Sequence, residues 1–310
     1  EYDFSSTLLI NDYVQGKDIG LALDDLLKER FDNPWNDVHM FEFLEWMKAI
    51  NEDREINKLS IFGFDGQRSD FAVENITGFF DGESIPLPFS KDGLKLVQEM
   101  GGALYNIKKL DKDSLALLER TIESLNEELP KYYSDKKSLE LDLMVINQNL
   151  AFEKAGILSF VNVRDKNMAL FVRALISKGF IQGNSFISAH DGHISKKKSF
   201  FYTPMGYYLS KEFLDDYVTI AIDFHQGLIR NTYSTGKTNY APITSKQWIG
   251  NQVEWDESDV LQLDLSKFGK YIKRNVGANS GTIKSKSDRE FDFMILFKNV
   301  EPSIPYKKNN

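Results

Sequence analysis

The sequence predicts an α/β fold: a parallel or mixed central sheet flanked by helices, with an inserted, mainly helical lobe. Three observations carry this prediction. Segments that are apolar at nearly every position recur along the chain, as in strands that are buried on both faces. Segments with a helical spacing of apolar residues lie between them. Residues 81 to about 160, in contrast, contain helical patterns only, which indicates a lobe inserted into the α/β body.

The length and composition predict one globular domain over residues 1–310, with the helical insertion at about 81–160. Of the 310 residues, 42% are hydrophobic and 13% are aromatic. A chain of this kind can bury a large core and is unlike a disordered segment. We find neither an internal repeat nor a low-complexity tract that would divide it.

The first third of the chain predicts helices around one strand. The segments "IGLALDDLLKERF", "NPWNDVHMFEFLEWMKAIN" and "SDFAVENITGFF" have helical spacing, and Asn36 or Asp37 can cap the second of them. The segment "KLSIFGFDGQ" lies between the last two of these helices. It is short and apolar and predicts a strand that ends near Asp65.

The helical lobe consists of three long amphipathic runs. They are "KDGLKLVQEMGGALYNI", "DKDSLALLERTIESLNEEL" and "KKSLELDLMVINQNLAFEKAG". The run "RDKNMALFVRALISKG" predicts a further helix, which ends at Gly179 because glycine adopts the left-handed conformation of a helix C-terminus.

Strands and a helix alternate in the second half of the chain. The segments "NSFISAH", "DYVTIAIDF" and "FDFMILFKN" predict strands. Between the first two, "TPMGYYLSKEFL" predicts a helix with Thr203 as its cap and Pro204 at its first position.

Polar residues follow three of the predicted strands. These clusters are Asp65–Gln67, His190–His193 and Asp223–His225. Ligands of open α/β sheets bind beyond the carboxyl ends of the strands. The sequence therefore predicts that the functional site is built from such clusters.

Charge and composition exclude several function classes. The net charge of −8 and the pI near 5.2 give no electrostatic support for nucleic acid or an anionic membrane as a partner. The absence of cysteine excludes disulfides, thiol nucleophiles and Cys-ligated zinc. No apolar run approaches the roughly 18–20 residues of a membrane helix. The compartment and the oligomeric state stay open.

The segment "SFISAHDGHISKKK" contains two of the four histidines and allows three interpretations. His190 and His193 could ligate zinc, with Asp65 or Glu1 as a third ligand. They could instead form a metal-free acid–base or substrate-binding centre, since histidine titrates near neutral pH and a carboxylate can fix its tautomer. The third interpretation is a structural turn. We favour the metal-free centre, because H-x-x-H in a turn is a weak zinc motif.

Other catalytic motifs are missing from the sequence. There is no G-x-S-x-G elbow, no P-loop and no G-x-G-x-x-G. Asp65 can line a pocket or cap a turn. Trp35 can line a pocket for a bulky ligand or pack in the core. His39, one residue into a predicted helix, is a further pocket candidate.

Several segments, in order, resemble the erythromycin esterase-like family. They are "EYDFSSTLLINDYVQGKD", "PWNDVHMFEFLEWMKAIN", "GFDGQ", "RDKNMA", "SAHDGHISK", "MGYYLSKEF" and "YVTIAIDFHQG". The resemblance covers nearly the whole chain. It implies an α/β core with added helices and hydrolysis of the lactone ester of macrolides without an obligatory metal, with a histidine as general base on water.

The resemblance also implies roles for particular residues. Glu1 matches a functional glutamate that follows a short strand, and His190 and His193 match the two histidines of an "HN.H" element. The base histidine belongs to a "GE..HG" motif that precedes this glutamate. This sequence lacks that segment, so we expect an N-terminally incomplete site whose missing half lies before residue 1.

Three residues depart from the family pattern and put macrolide specificity in question. Asp191 replaces the usual asparagine of "HN.H", and His39 replaces a usual glutamate. Phe171 replaces an asparagine of "MA.N". We therefore keep open a divergent hydrolase that acts on another ester or a carbohydrate-linked substrate, and a non-catalytic small-molecule-binding protein.

The sequence thus predicts a cofactor-free, metal-independent hydrolase of a small-molecule ester or lactone by general-base activation of water. The predicted catalytic residues are Glu1, His190 and His193. The predicted substrate-binding residues are Asp65, His39, Trp35 and Asp191.

Overall fold

The computed structural model describes most of the chain. The described residues are 1–30, 37–66, 68–100, 110–134, 136–155, 159–231, 239–244, 249–251, 253–255, 257–268, 272–275, 282–285 and 290–304. Trp35 lies outside these residues, so its predicted place in a pocket stays a prediction.

Helices and strands are unequally distributed along the described residues. The helices are α1 (Phe4–Val14), α2 (Leu23–Arg30), α3 (Val38–Glu52), α4 (Asp70–Gly82), α5 (Lys91–Glu99), α6 (Lys112–Glu128), α7 (Ser138–Lys154), α8 (Phe160–Ser177), α9 (Asp191–Ile194) and α10 (Met205–Phe213). The strands are β1 (Ile220–Asn231), β2 (Asn239–Thr244), β3 (Val260–Asp264), β4 (Ile272–Asn275), β5 (Thr282–Ser285) and β6 (Phe293–Val300). Along the described chain, every one of these strands comes after the last of these helices, α10.

The chain divides into two compact units. The first unit consists of Glu1–Leu21 and Met47–Ser188, and the second of Ala22–Trp46 and Ala189–Asn310. The division falls within α3, so this helix contributes residues to both. The prediction of one domain over 1–310 is not tested by this division and stays a prediction.

The first unit is a helical body built around an aromatic cluster. Helix α1 packs on α4 and α7, and α7 packs on α8. The ring of Phe4, which is fully buried, lies 5.7 Å from that of Phe171 and 5.5 Å from that of Phe180. The described residues between 81 and 160 form helices and no strand. That they are an insertion into an α/β body stays a prediction.

Helix α1 begins at a buried aspartate. The Asp3 carboxylate accepts a hydrogen bond from the backbone N–H of Ser6 at 2.8 Å and from its hydroxyl at 2.6 Å. Aspartate at this position satisfies a donor that the helix leaves without a partner. Burial raises the pKa of Asp3 to about 7, although both hydrogen bonds from Ser6 act to lower it.

Two predicted strands are wrong. Residues 58–66 and 184–190, all of them described, form no regular strand. The backbone N–H groups of Phe64 and Asp65 both donate to the carbonyl of Tyr2, at 2.6 and 2.8 Å. A Cβ atom at Gly63 would overlap the Asp3 carbonyl oxygen, so glycine permits this close approach. A strand requires hydrogen bonds to a neighbouring strand along its length. The described hydrogen bonds of residues 58–66 do not form such a ladder, so this apolar segment is not a strand.

The second unit contains the sheet. Its four strands are ordered β2-β1-β6-β3, with β1 and β6 parallel and the other two pairs antiparallel. Strands β4 and β5 form a separate antiparallel pair. A mixed sheet together with many helices confirms the predicted α/β class.

The predicted strands "DYVTIAIDF" and "FDFMILFKN" are confirmed as β1 and β6. Ala221 and Asp223 of β1 and Met294 and Leu296 of β6 are buried on one face of the sheet. The cluster Asp223–His225 therefore lies within β1 and does not follow its end, because β1 continues to Asn231.

Two capping predictions have different outcomes. The Asp37 carboxylate accepts a hydrogen bond from the Met40 N–H at 2.8 Å, which confirms it as the cap of α3. Pro204 occupies the cap position of α10 and Met205 its first position, so the predicted start at Pro204 is wrong by one residue.

Among the described residues, no helix combines the length and the apolar character that crossing a membrane requires.

Candidate functional site

The histidine pair lies at a very short helix in the second unit. Helix α9 consists of four residues, and His190 immediately precedes it. The ring centroids of His190 and His193 are 6.3 Å apart, and the two rings are inclined at 76°. His190 is exposed and His193 is buried. The structure thus brings both predicted histidines together, in different surroundings.

His190 caps α9 with its own ring. The backbone N–H of Gly192 donates to Nδ1 of His190 at 3.0 Å. A nitrogen that accepts a hydrogen bond carries no proton, so the proton of neutral His190 is assigned to Nε2. This ring therefore presents an N–H donor at its outer edge.

His193 is held by a tyrosine that the sequence did not identify. The Tyr202 hydroxyl donates to the Gly192 carbonyl at 3.1 Å and lies 3.2 Å from Nδ1 of His193. The hydroxyl has one proton, and a carbonyl oxygen can only accept it. Nδ1 of His193 is therefore assigned as the donor to the tyrosine oxygen, which puts the ring's lone pair at Nε2.

In these tautomers the Nε2 atoms of the two rings are complementary. Nε2–H of His190 is a hydrogen-bond donor, and the Nε2 lone pair of His193 is a hydrogen-bond acceptor and base. Gly192 contributes to both assignments, through its N–H and its carbonyl. A donor and a base side by side are the two groups that acid–base chemistry on one substrate group requires.

The end of α9 is fixed by close packing. A Cβ atom at Gly206, in α10, would overlap the Ile194 carbonyl oxygen. The same carbonyl accepts a hydrogen bond from the Tyr217 hydroxyl at 3.0 Å. Burial raises the pKa of Tyr217, so this phenol stays a donor at neutral pH. These contacts hold the segment that contains the histidines in one position.

The lysines after α9 are bound to carboxylates. Lys196 Nζ lies 2.6 Å from Asp292, which also accepts from the Thr219 N–H at 2.7 Å. Lys197 Nζ lies 3.3 Å from Glu290. These pairs join the loop after the histidines to the segment that enters β6.

A second cluster, in the first unit, joins two predicted residues through an arginine. Arg164, on α8, binds both Asp65 and Glu1. Its Nε lies 3.0 Å from Oδ2 of Asp65, and one terminal nitrogen lies 2.5 Å from that oxygen and 2.5 Å from Oε1 of Glu1. A planar guanidinium suits such a fork of two carboxylates.

Burial and charge oppose each other at Arg164. Its burial disfavours the charged form, but the carboxylates of Asp65 and Glu1 outweigh it and raise the pKa of Arg164 above its usual value. The Asp65 side chain is 0% exposed, whereas those of Glu1 and Arg164 are 15% exposed. Asp65 therefore acts as an anchor beneath Arg164, and the outer members of this cluster are Glu1 and Arg164.

The remaining predicted residues have varied environments. Asp191 is the first residue of α9, half-buried beside the two histidines. His39 is 70% exposed on α3, with Nδ1 3.5 Å from Oε2 of Glu42. Phe171 is fully buried against Phe4, so its departure from the family pattern is accounted for by core packing. Substrate binding by Asp191 and His39 stays a prediction.

Sequence reasoning missed Arg164 and Tyr202. Arg164 stands in the family segment "RDKNMA", but its partners are 99 and 163 residues away, and no spacing rule relates them. Tyr202 is nine residues from His193 in an irregular loop. Within the described ranges, no three His, Asp or Glu side chains form a group that could hold a metal ion.

Comparisons with known proteins give a family from the sequence and a fold from solved structures. The sequence profile described as erythromycin esterase matches residues 1–300. The crystal structure of a Bacillus cereus protein is similar, with a TM-score of 0.80 and 18% identity over 99% of this chain and 81% of that one. The crystal structure of a succinoglycan biosynthesis protein gives a TM-score of 0.70 at 18% identity, over 99% and 80%. At such identities the likeness shows the fold alone. A search of curated proteins finds no match.

Proposed function

Because the chain belongs to the erythromycin esterase family, we propose that it hydrolyses a carboxylic ester or macrolactone by general-base attack of water. Family membership supports a hydrolase. The observation that carries the proposal is the histidine pair, whose Nε2 atoms are assigned as a donor and a base from the contacts of Gly192 and Tyr202.

The proposed reaction divides the work between the two rings. Nε2 of His193 takes a proton from the attacking water as its oxygen bonds to the carbonyl carbon. Nε2–H of His190 donates to the carbonyl oxygen as that oxygen becomes negative. When the bond to the leaving oxygen breaks, His193 returns the proton to it, so the products are a carboxylic acid and an alcohol.

Tyr202 is a positioning residue in this scheme. A proton that arrives on Nε2 makes His193 a cation, and its Nδ1–H still donates to the tyrosine oxygen. The ring orientation and the site of protonation are then the same before and after proton transfer. A fixed orientation of this kind is what makes a general base efficient.

Asp191 is proposed to line the substrate site beside the two histidines. It is the residue between His190 and Gly192, and it is half-buried. The resemblance predicts a neutral asparagine at this position. The aspartate therefore adds a negative charge to the site without removing either ring.

Glu1 and Arg164 are proposed to form a separate substrate-orienting or base-orienting group. A terminal nitrogen of Arg164 binds the Glu1 carboxylate and fixes its direction. Asp65, buried beneath, keeps Arg164 charged and in place. The resemblance implies a functional role for this glutamate, and its ion pair with Arg164 supports one.

For the substrate, we propose a macrolactone of the erythromycin type. An ester that is attached to a carbohydrate is the second candidate, since Asp191 departs from the family pattern. The buried position of Phe171 removes one of the three arguments for a changed pocket.

Product analysis tests this function. The protein is incubated with erythromycin, with an acetylated sugar and with p-nitrophenyl acetate in oxygen-18-labelled water. We expect one labelled oxygen in the carboxylic acid product and none in the alcohol, in metal-free buffer and with chelator present. Binding of these compounds without turnover would instead indicate a non-catalytic binding protein, and loss of turnover with chelator would indicate a metal-dependent reaction.

A further inference from the structure

A tight turn next to Tyr202 presents two phenylalanines to solvent. Phe200 is 93% exposed and Phe201 is 82% exposed. Their ring centroids are 4.8 Å apart in an edge-to-face arrangement. Exposed aromatic side chains of this size leave a large apolar area in water, and covering them with another apolar group is favourable.

The turn is ordered by its own hydrogen bonds. The N–H of Ser199 donates to the Tyr202 carbonyl at 2.8 Å, and the N–H of Tyr202 donates to the Ser199 hydroxyl at 3.1 Å. The two phenylalanines are the central residues of this turn. The backbone that carries them is therefore held in a turn before any ligand binds, which lowers the entropic cost of ordering this segment on binding.

The turn is also connected to the histidine pair. Tyr202 is its last residue, and the Tyr202 hydroxyl contacts Nδ1 of His193 at 3.2 Å. The apolar turn and the proposed base are thus parts of one hydrogen-bonded segment within the second unit. The turn that contains Phe200 and Phe201 therefore ends at the residue that orients the proposed base.

The charges of the same loop do not favour an anionic membrane as the occupant. Lys196 is paired with Asp292 and Lys197 with Glu290. Lys198 Nζ lies 5.4 Å from the centre of the Tyr207 ring. With a net charge of −8 on the chain, these lysines do not make the loop a strongly basic surface.

We propose that Phe200 and Phe201 contact the apolar part of the ester substrate and give the site a preference for bulky apolar acyl or alcohol groups. This inference rests on the proposed function. It makes the turn a specificity element: the histidines act on the ester group, and the phenylalanines select what is attached to it.

Chain-length selectivity tests the inference. The ratio of kcat/KM for p-nitrophenyl octanoate to that for p-nitrophenyl acetate is measured for the wild type and for the Phe200→Ala/Phe201→Ala variant. We expect the wild type to favour octanoate and the variant to lower the ratio about tenfold. The control is Ile56→Ala, which removes a 77% exposed apolar side chain from the first unit and is expected to keep the wild-type ratio.

Binding measurements separate a failure of this inference from a failure of the proposed function. If the wild type hydrolyses neither ester, the proposed function is wrong, and calorimetric titration with octanoate then decides on the turn. Octanoate binding that weakens about tenfold in the double variant supports the turn as a ligand contact. Three results would overturn the inference about the turn. The first is a selectivity ratio that the double variant leaves unchanged. The others are octanoate binding that is unchanged or undetectable, and loss of binding to phosphatidylglycerol vesicles without a change in the ratio.

Discussion

Replacing Asp142 with asparagine should make the stability of the first unit less dependent on pH. Asp142, on α7, is fully buried. Its Oδ1 accepts hydrogen bonds from the Ser5 hydroxyl at 2.7 Å and from Nδ2 of Asn75 at 2.9 Å. Its Oδ2 has no hydrogen-bond partner among the described residues. An asparagine oxygen can accept the same two hydrogen bonds without carrying a charge.

The magnitude follows from the pKa. Burial raises the pKa of Asp142 from 3.8 to about 7, against the hydrogen bonds from Asn75 and Ser5 that lower it. Between these two values the folded chain holds a proton that the unfolded chain has released, so stability falls as the pH rises through this range and is constant above it. At about 1.4 kcal/mol per pH unit, the total loss is roughly 4 kcal/mol, of which roughly 3 kcal/mol falls between pH 5 and 8.

Urea unfolding between pH 5 and 8, followed by circular dichroism, measures this effect. Asp3, whose pKa is also about 7, contributes a similar loss in the wild type. Asp142→Asn is therefore expected to show about half of the wild-type decrease in unfolding free energy. The matched control is Asp111→Asn at the exposed cap of α6, where hydrogen bonds from Ser114 lower the pKa, and it should keep the wild-type slope. An Asp142→Asn slope equal to that of the wild type would refute the reasoning.

Three further perturbations test the clusters and their packing. Tyr202→Phe removes the hydroxyl that orients His193. It should lower kcat for ester hydrolysis roughly tenfold or more with little change in KM. An unchanged kcat would contradict the positioning role of Tyr202. Arg164→Met leaves the buried carboxylate of Asp65 without its cation and should lower the unfolding free energy by about 3–5 kcal/mol, with Arg164→Lys intermediate. Equal stability of both variants and the wild type in urea would contradict this role. Gly206→Ala introduces an overlap with the Ile194 carbonyl. It should destabilise the chain by about 1–3 kcal/mol and lower ester turnover. A stable and fully active variant would show that this contact does not position α9.

The sequence predicted the elements whose signal is local. Strand β6 is mostly apolar, β1 begins with the apolar run Ile220–Ile222, and both strands were predicted. Strands β4 and β5 are four residues each and include charged residues, and β2 contains Pro242. Such short or proline-containing edge strands lack the alternation or the apolar run by which strands are identified.

The segments "KLSIFGFDGQ" and "NSFISAH" show the opposite error. Both have the apolar composition of a strand, but a strand also requires a neighbour that pairs along its length. In the structure the backbone N–H groups of Phe64 and Asp65 both donate to the single carbonyl of Tyr2. Composition alone does not contain this information.

Some residues of the candidate site could be found from the sequence, and others could not. His190, Asp191 and His193 are adjacent in sequence and could be found there. The tautomers of the two rings depend on Gly192 and on Tyr202, and these follow only from coordinates. Arg164 is one of three basic residues of an amphipathic helix, where a charged residue usually faces solvent. Its link to Glu1 and Asp65 was therefore not foreseeable from spacing.

The central claim is that His190 and His193 act as the donor and the base of an ester hydrolase. It is tested most directly by the kcat/KM of the wild type, His190→Asn and His193→Asn for a simple ester, with His225→Asn as a control that removes a histidine from β1. Asparagine can still accept from the Gly192 N–H at position 190, so that variant keeps the helix cap while losing the ring. We expect each variant at 190 or 193 to lose about 10²–10⁴-fold in kcat/KM while its circular dichroism spectrum and the activity of the control stay close to those of the wild type. Folded variants at both positions that hydrolyse the ester at the wild-type rate would contradict the account.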